Sequence, residues 1–223
     1  MATEVNGAHS LISSWSGGKD SCFALMRAIA AGHRPVALLN MMNENGQISR
    51  SHGLPEEILR RQAAAMKLPI LAIPASWGDY EGLFIGALQR LKAEHGATAA
   101  VFGDIDLQGH RDWEEKVCAA VGLQALLPLW QEDRLVLVRQ MLASGMRCVI
   151  TSCQASLGAE FIGRELDEEV IADLIARGVC PCGENGEFHT VVTDCPLFDK
   201  PLELPSHHVL RHGDYLFAEW AID

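Results

Sequence analysis

Several features that would point to a function class are missing from this 223-residue sequence. No apolar run approaches the ~18 residues that span a bilayer, and Met1–His9 has neither the basic start nor the apolar core of a signal peptide. Positive charge is scarce: 18 Lys and Arg stand against 29 Asp and Glu, for a net charge of −11. Clustered Lys and Arg hold nucleic acids and anionic membranes, so neither is an expected partner. We expect a cytoplasmic globular protein.

The cysteines do not form an evident disulfide framework. There are seven, an odd number, and without an export signal we expect reduced thiols. Cys180 and Cys182 form a Cys-X-Cys pair, with His189 and Cys195 downstream. Structural zinc sites usually separate paired cysteines by at least two residues. A redox-sensitive pair and an ordinary loop therefore stand beside a zinc site as interpretations.

Two common nucleotide-binding motifs are absent, but a third kind of glycine turn is present. A Walker A loop would need glycine where Ser13 stands and Ser or Thr where Asp20 stands, and the turn lacks the pattern GxGxxG. Ser16–Ser21 instead reads Ser-Gly-Gly-Lys-Asp-Ser, between the apolar run Leu11–Trp15 and a helical pattern. A strand–turn–helix unit aims backbone N–H groups and the positive end of a helix dipole at an anion. The sequence therefore predicts a phosphate site.

Strand and helix patterns alternate through the first half of the chain. The predicted strands are Leu11–Trp15, Val36–Asn40, Leu68–Ile73 and Ala99–Gly103; the predicted helices are Cys22–Ala31, Pro55–Met66, Asp79–His95 and about Gly109–Val121. This alternation predicts an α/β fold: a Rossmann-like (HUP-type) parallel sheet with helices on both faces. We assign it to a nucleotide-binding domain, residues 1–126. Ligands of such sheets bind at the carboxyl ends of the strands.

The second half predicts a smaller C-terminal α+β lobe, residues 127–223, which would bind the substrate. Its predicted elements are a helix at Glu132–Ala143, a strand at Arg147–Ser152, a helix at Asp167–Arg177 and a hairpin of His207–Arg211 with Tyr215–Ala221. Between the second helix and the hairpin lie a glycine- and cysteine-rich loop and a short strand.

Two motifs together resemble a known family. The Ser16–Ser21 turn is similar to the PP-loop of the ATP pyrophosphatase superfamily, whose members split ATP between the α and β phosphates. The segments Gly183–Thr190 (GENGEFHT) and Asp194–Phe198 (DCPLF) resemble the C-terminal signature of the diphthine–ammonia ligase family. Gly103–His110 is similar to a bacterial-type subgroup. Because diphthamide is made on the archaeal and eukaryotic translocation factor, the acceptor of this chain stays open.

The resemblance implies an ATP-dependent amidoligase that adenylates a carboxylate, releases pyrophosphate and transfers ammonia to form an amide. ATP and Mg²⁺ would be the cofactors, and ammonium and an unidentified carboxylate acceptor the other partners. Two alternatives are a PP-loop enzyme that uses sulfur or another nucleophile, and a non-catalytic nucleotide sensor. The net charge of −11 counts against RNA thiolation. A homodimer is kept as a candidate assembly.

The resemblance also distributes roles among residues of this sequence. Lys19, Asp20, Glu184 and Glu187 would be catalytic, and the two glutamates would bind ammonium, deprotonate it or hold a cationic part of the acceptor. Asp20 and Asp104 are the Mg²⁺ candidates, and Asp20 could equally cap a helix. The residues expected at the nucleotide are Ser16, Gly17, Gly18, Lys19, Ser21, Leu39, His52, Phe102, Gly103, Asp104, Arg111 and Thr190. Arg111 could instead form a surface pair with Glu114, and Thr190 could organise the loop.

Overall fold

The computed structural model describes residues 7–222. Its first sheet is parallel, with strands in the order β3-β2-β1-β4-β5. The strands are β1 (Ser10–Ser14), β2 (Arg34–Met42), β3 (Ile70–Pro74), β4 (Ala99–Val101) and β5 (Gln124–Leu126). The helices between them are α1 (Lys19–Ala30), α2 (Glu56–Ala65), α3 (Tyr80–His95) and α4 (Gln108–Ala120). The predicted Rossmann-like α/β fold is confirmed.

Successive residues of β1 show why helices cover both faces of this sheet. Leu11 belongs to an apolar cluster with residues of α1 and α2, whereas Ile12 belongs to a second cluster with residues of α3 and α4. Side chains alternate across a strand, so a strand that is apolar on both faces must be covered twice. The chain changes direction across the sheet between β1 and β4, which is where ligands bind in such folds.

Most bounds in this half shift slightly from the sequence prediction, and two differences are important. Helix α1 begins at Lys19 rather than Cys22, so Lys19, Asp20 and Ser21 all lie in its first turn. Strand β5 was not predicted, because its three residues, Gln124–Leu126, carry too short an apolar pattern. Its conformation comes from pairing with β4, a tertiary contact that local sequence does not encode.

The second sheet is antiparallel, in the order β7-β6-β9-β8, and confirms the α+β prediction. Its strands are β6 (Arg147–Gln154), β7 (Phe188–Asp194), β8 (His207–His212) and β9 (Tyr215–Trp220), accompanied by α5 (Arg134–Ala143), a 3₁₀ turn (Ala159–Phe161) and α6 (Glu168–Ala176). Buried residues of β1, α1 and β7 belong to one apolar cluster, so the two sheets share a core. Within residues 7–222, no helix is long and apolar enough to cross a membrane.

Candidate active site

The turn at Ser16–Ser21 is held in shape by its own hydroxyl groups. The Oγ atoms of Ser16 and Ser21 lie 3.0 Å apart, and the Gly18 amide donates to Ser16 Oγ at 3.3 Å. Gly17 has a φ of +86°, and a Cβ there would stand 2.6 Å from Leu54 Cδ1. Glycine is therefore required at this position for conformation and for space.

Lys19 is buried at the start of α1, with 2% of its surface exposed. Its Nζ lies 2.8 Å from Asp20 Oδ2 and also donates to the Cys182 carbonyl. Burial alone would lower the pKa of Lys19, but the charge and hydrogen bond of Asp20, with smaller contributions from Cys182 and Cys148, together outweigh it, and the pKa stands above its ordinary value. The ammonium group is therefore kept charged. Asp20 Oδ1 is buried and has no hydrogen-bond partner within residues 7–222.

Residues from outside the turn complete its support. The Lys19 amide donates to Thr190 Oγ1 at 3.1 Å, and the Val192 amide donates to the Gly17 carbonyl at 2.9 Å. Gln62 is fully buried; its Nε2 donates to the carbonyls of Gly17 and Val192, and its Oε1 accepts from Trp15 Nε1 at 2.9 Å. Strand β7 and helix α2 thus brace the turn that follows β1.

Two histidines lie beside the turn. His52 packs on Gly18 so closely that a Cβ there would stand 2.3 Å from His52 Cε1. Its Nδ1 lies 2.8 Å from the Thr190 carbonyl, and its ring centroid is 4.6 Å from that of His189. Burial lowers the pKa of His52 to about 4, and burial with the neighbouring His52 lowers that of His189 well below its usual range. Both rings are therefore neutral near pH 7.

The carboxyl groups of Asp104, Glu114 and Glu184 line the same cleft as the turn. Glu114 is 3% exposed, and burial together with Asp104 raises its pKa to about 11. Burial would raise the pKa of Asp104, but hydrogen bonds from His110, at 2.6 Å, and from Glu114 lower it. Near pH 7, Glu114 is therefore protonated and Asp104 is ionised. Burial and the charge of Asp20 raise the pKa of Glu184 to about 7.

One cleft of about 990 Å³ brings together most of the residues expected at the site. Gly103 supplies its close wall, since a Cβ there would stand 2.7 Å from the backbone of Asp20 and Ser21. The expected residues that line the cleft are Ser16, Lys19, Asp20, Ser21, His52, Phe102, Gly103, Asp104 and Glu184. Those that do not line it are Gly17, Gly18, Leu39, Arg111, Glu187 and Thr190.

The residues outside the cleft have other contacts. Leu39 is 1% exposed and belongs to the apolar cluster that contains α3. Arg111 stacks on Trp130 and bonds Glu115 at 2.7 Å, rather than pairing with Glu114. Glu187 accepts from the amides of Cys180 and Asn185, at 3.2 and 3.0 Å. Its pKa is lowered, because these bonds and that of the Asn185 side chain outweigh burial.

Sequence reasoning missed Glu114, His189 and an aromatic wall of the cleft. That wall contains Trp77, Tyr80, Phe84 and Trp113. A signal for Glu114 exists, because Val117 and Cys118, three and four residues on, share its buried helix face. His189 lies within the GENGEFHT segment, but its position beside His52 follows only from the fold of the second sheet.

Arg134 contacts the thiols of both cysteines of the Cys-X-Cys pair. Arg134 donates from its guanidinium to Cys180 Sγ at 3.4 Å, and Cys182 donates its thiol hydrogen to the Arg134 carbonyl at 2.9 Å. Burial raises the pKa of Cys182 to about 12, so this thiol is not a ready nucleophile. Among the described residues, no group of three or more His, Cys, Asp or Glu is arranged to hold a metal ion.

A parallel sheet whose first strand ends in a Ser-Gly-Gly-Lys-Asp-Ser turn, with a charged lysine and an acidic loop in one cleft, defines an ATP-using enzyme of the PP-loop class. The diphthamide synthase N-terminal domain matches residues 10–125, and the diphthamide synthase C-terminal domain matches residues 133–219. The chain therefore belongs to the diphthamide synthase family, and it is an ATP-dependent ligase that forms a C–N bond.

Individual relatives agree with this assignment. The diphthine–ammonia ligase of Homo sapiens is 31% identical over 230 residues, covering 91% of this chain and 85% of its own length. That of Schizosaccharomyces pombe is 30% identical over 220 residues, covering 89% of this chain and 36% of its own length. A solved structure from Methanocaldococcus jannaschii, described as a predicted subunit of tRNA methyltransferase, has a TM-score of 0.45 and 17% identity, covering 86% of this chain and 100% of its own.

Proposed function

We propose that this protein adenylates a carboxylate with ATP, releases pyrophosphate and transfers ammonia to the activated carbonyl carbon. The observation that carries the proposal is the shared cleft: a charged, buried Lys19 stands at the start of α1, and Glu184 lies in the same space. The Lys19 ammonium group suits a phosphate anion, and the Glu184 carboxyl group suits a nitrogen nucleophile. The names of the relatives, diphthine–ammonia ligase, support the same chemistry.

In the first step, a carboxylate oxygen of the acceptor attacks the α-phosphorus of ATP. The bond from that phosphorus to the oxygen bridging the β-phosphate breaks, and pyrophosphate leaves. Lys19 and the hydroxyls of Ser16 and Ser21 would bind the β and γ phosphates, with Gly17 and Gly18 shaping the turn. The serine hydroxyls now bond one another and can rotate toward an incoming phosphate. Phe102 and Gly103, at the end of β4, are our candidate adenine contacts.

In the second step, ammonia attacks the acyl carbon, AMP leaves, and the nitrogen gives up a proton. A carboxylate has no adequate leaving group, which is why activation comes first. We assign Glu184 to deprotonate ammonium, because a pKa of about 7 divides it between acid and base near neutral pH. Glu187 would act through the backbone, by fixing the loop that carries Glu184. His52 would donate or accept a hydrogen bond at the phosphates or the acyl group.

Asp20 is the residue that fits Mg²⁺ best. Its Oδ1 is a buried carboxylate oxygen without a partner in residues 7–222, and Mg²⁺ is commonly held by one or two carboxylates together with substrate phosphates. The oxygens of Asp104 are already engaged by His110 and Glu114, so Asp104 is the second choice. The ion would neutralise charge on the departing pyrophosphate.

We also propose the division of labour between a nucleotide-binding domain, residues 1–126, and a substrate-binding lobe, residues 127–223. The phosphate turn belongs to the first and the loop of Glu184 to the second. The acceptor class is a carboxylate, on a small molecule or on a modified protein side chain such as diphthine.

The test is to incubate the protein with ATP, Mg²⁺, ¹⁵N-ammonium and a panel of carboxylates, and to measure AMP, pyrophosphate and ¹⁵N-amide. We expect AMP and pyrophosphate in equal amounts, dependent on an acceptor. Lys19→Ala should abolish their release, while Lys200→Ala, at an exposed position, should not. Release of ADP and phosphate instead, or pyrophosphate release that survives Lys19→Ala, would contradict the adenylation mechanism.

A further inference from the structure

We propose that Arg134 is a positioning residue that clamps the acid loop, residues 180–187, to the β4 loop, residues 102–107. The first loop carries Glu184 and the second carries Asp104. The inference deepens the proposed function and rests on it, because the clamp would assemble the cleft from its two halves. Arg134 does not itself line the cleft.

The guanidinium reaches both loops at once. It donates from Nε and Nη2 to the two carboxylate oxygens of Asp106, at 2.8 and 2.6 Å. Its remaining terminal nitrogen donates to Asn185 Oδ1 at 3.3 Å and to Cys180 Sγ at 3.4 Å. The planar fork of arginine allows this two-sided arrangement, whereas lysine offers a point charge that serves one side at a time.

The backbone of Arg134 adds a third contact. Its carbonyl accepts from the thiol of Cys182, and the Cys182 carbonyl in turn accepts from Lys19 Nζ. Arg134 therefore touches the acid loop at Cys180, Cys182 and Asn185, and through Cys182 it reaches the phosphate turn. The arrangement gives the Cys-X-Cys pair a structural purpose without a metal.

Arg134 is suited to hold this loop because it starts from a rigid element. It is the first residue of α5, and the preceding Asp133 caps that helix by accepting from the Val136 amide at 2.9 Å. The acid loop itself contains Gly183 and Gly186, both with positive φ. Glycines give a loop much conformational freedom in the absence of outside contacts, so a fixed anchor limits where Glu184 can go.

Arg139 provides a matched control on the same helix. It pairs with Glu168 at 3.2 Å, both side chains are more than half exposed, and neither lines the cleft. Exposed pairs of this kind contribute little to stability. Removing Arg139 therefore takes away an arginine and an ion pair from α5 without touching either loop.

The experiment compares Arg134→Ala, Arg134→Lys, Asp106→Asn, the double variant Arg134→Ala/Asp106→Asn, and Arg139→Ala. Pyrophosphate release gives kcat and the KM for ATP, and hydrogen exchange reports on the amides of residues 183–187. A displacement of about 1 Å can cost about 10²-fold in rate. We therefore expect Arg134→Ala to lower kcat about 10- to 100-fold, with the KM for ATP within about threefold. Hydrogen exchange at the amides of residues 183–187 should become faster.

The other variants make the outcome specific. Arg134→Lys should be intermediate, and the double variant should resemble Arg134→Ala, because that single variant already lacks the contact with Asp106. Arg139→Ala should match the wild type. Equal kcat and loop exchange in Arg134→Ala and Arg139→Ala would overturn the clamp, as would exchange in β1 and β2 that quickens as much as in the loop. If the wild type releases no pyrophosphate, the proposed function fails, and loop exchange still decides on the clamp.

Discussion

The side-chain oxygen of Thr190 accepts a hydrogen bond from the backbone amide of Lys19 at 3.1 Å, although 171 residues separate them in the chain. The residue before α1 is Gly18, which has no side chain to cap the helix. An uncapped first turn leaves N–H groups without partners. Thr190, on the second sheet, therefore supplies the cap for the helix that carries the phosphate turn.

Replacing Thr190 by valine should weaken both folding and nucleotide binding. Valine keeps the shape but cannot accept the Lys19 amide, and losing a helix cap costs ~1 kcal/mol. Urea denaturation gives the free energy of unfolding, and titration with ATP gives the dissociation constant. Thr193→Val is the control, because Thr193 lies on the same strand as Thr190, and its Oγ1 donates to the carbonyl of the exposed Arg147 on β6. Equal behaviour of the two variants would show that the cap is unimportant.

Gln62→Leu should be among the most destabilising substitutions in the chain. Leucine fits the volume but leaves the Gly17 and Val192 carbonyls without one donor and Trp15 Nε1 without its acceptor. A buried unsatisfied group costs ~1–3 kcal/mol, so we expect a loss of at least ~2 kcal/mol in the free energy of unfolding. The matched change is Gln89→Leu on the exposed face of α3. A loss no larger than that of Gln89→Leu would contradict the bracing role of Gln62.

Turnover with ammonium should rise with pH through about 7. The pKa of Glu184 is raised to about 7, so the carboxylate form that can accept a proton grows over that range. Glu184→Gln should remove this part of the profile and lower kcat by about 10²-fold, leaving only the increase due to free ammonia. Hydroxylamine, a nucleophile already neutral near pH 7, supplies the comparison. An unchanged profile in Glu184→Gln would assign the proton transfer to another group.

The free energy of unfolding should depend on pH because of the raised pKa of Glu114. Its pKa is about 11 in the folded state against an ordinary 4.5, so the stability it contributes is full below pH 4.5 and falls as pH rises toward 11. Glu114→Gln does not titrate. Its free energy of unfolding relative to wild type should therefore increase by at least ~1 kcal/mol between pH 4.5 and 8.

Urea denaturation at several pH values makes the measurement for Glu114. Glu115→Gln, at the neighbouring half-exposed residue that pairs with Arg111, should show no such rise. A flat difference for Glu114→Gln would mean that Glu114 is ionised in the folded protein.

The sequence predicts the residues of the phosphate turn better than the residues that complete the cleft. The pattern around Ser16–Ser21 is local: a strand, a turn and a helix are adjacent in the chain, and the structure contains all three, with the helix beginning at Lys19 rather than Cys22. Asp104 and Glu184 also line the cleft. Both were expected there, Asp104 from the end of a predicted strand and Glu184 from the acidic loop motif. The roles of these residues stay predictions.

The contacts that sequence reasoning did not find depend on folding at a distance. Gln62 lies within the predicted helix Pro55–Met66, and nothing in the local sequence indicates that it joins Trp15, Gly17 and Val192. The contacts of Arg134 and His189 form only when the second sheet packs against the first. Arg111 shows the reverse case: a motif suggested a ligand contact, but Trp130 and Glu115 engage the side chain elsewhere. Pair interactions between distant segments leave no periodic trace in one sequence.

The Gly17 carbonyl, which accepts from both the Val192 amide and Gln62 Nε2, has a consequence for protein engineering. Transplanting Ser16–Ser21 onto another strand–helix unit would copy the motif but not the residues that hold it in shape. The recipient scaffold would need a buried amide side chain and a neighbouring strand at the same positions. The unit that would have to be transferred therefore has three parts: the turn, Gln62 of α2 and strand β7. These parts are far apart in the sequence.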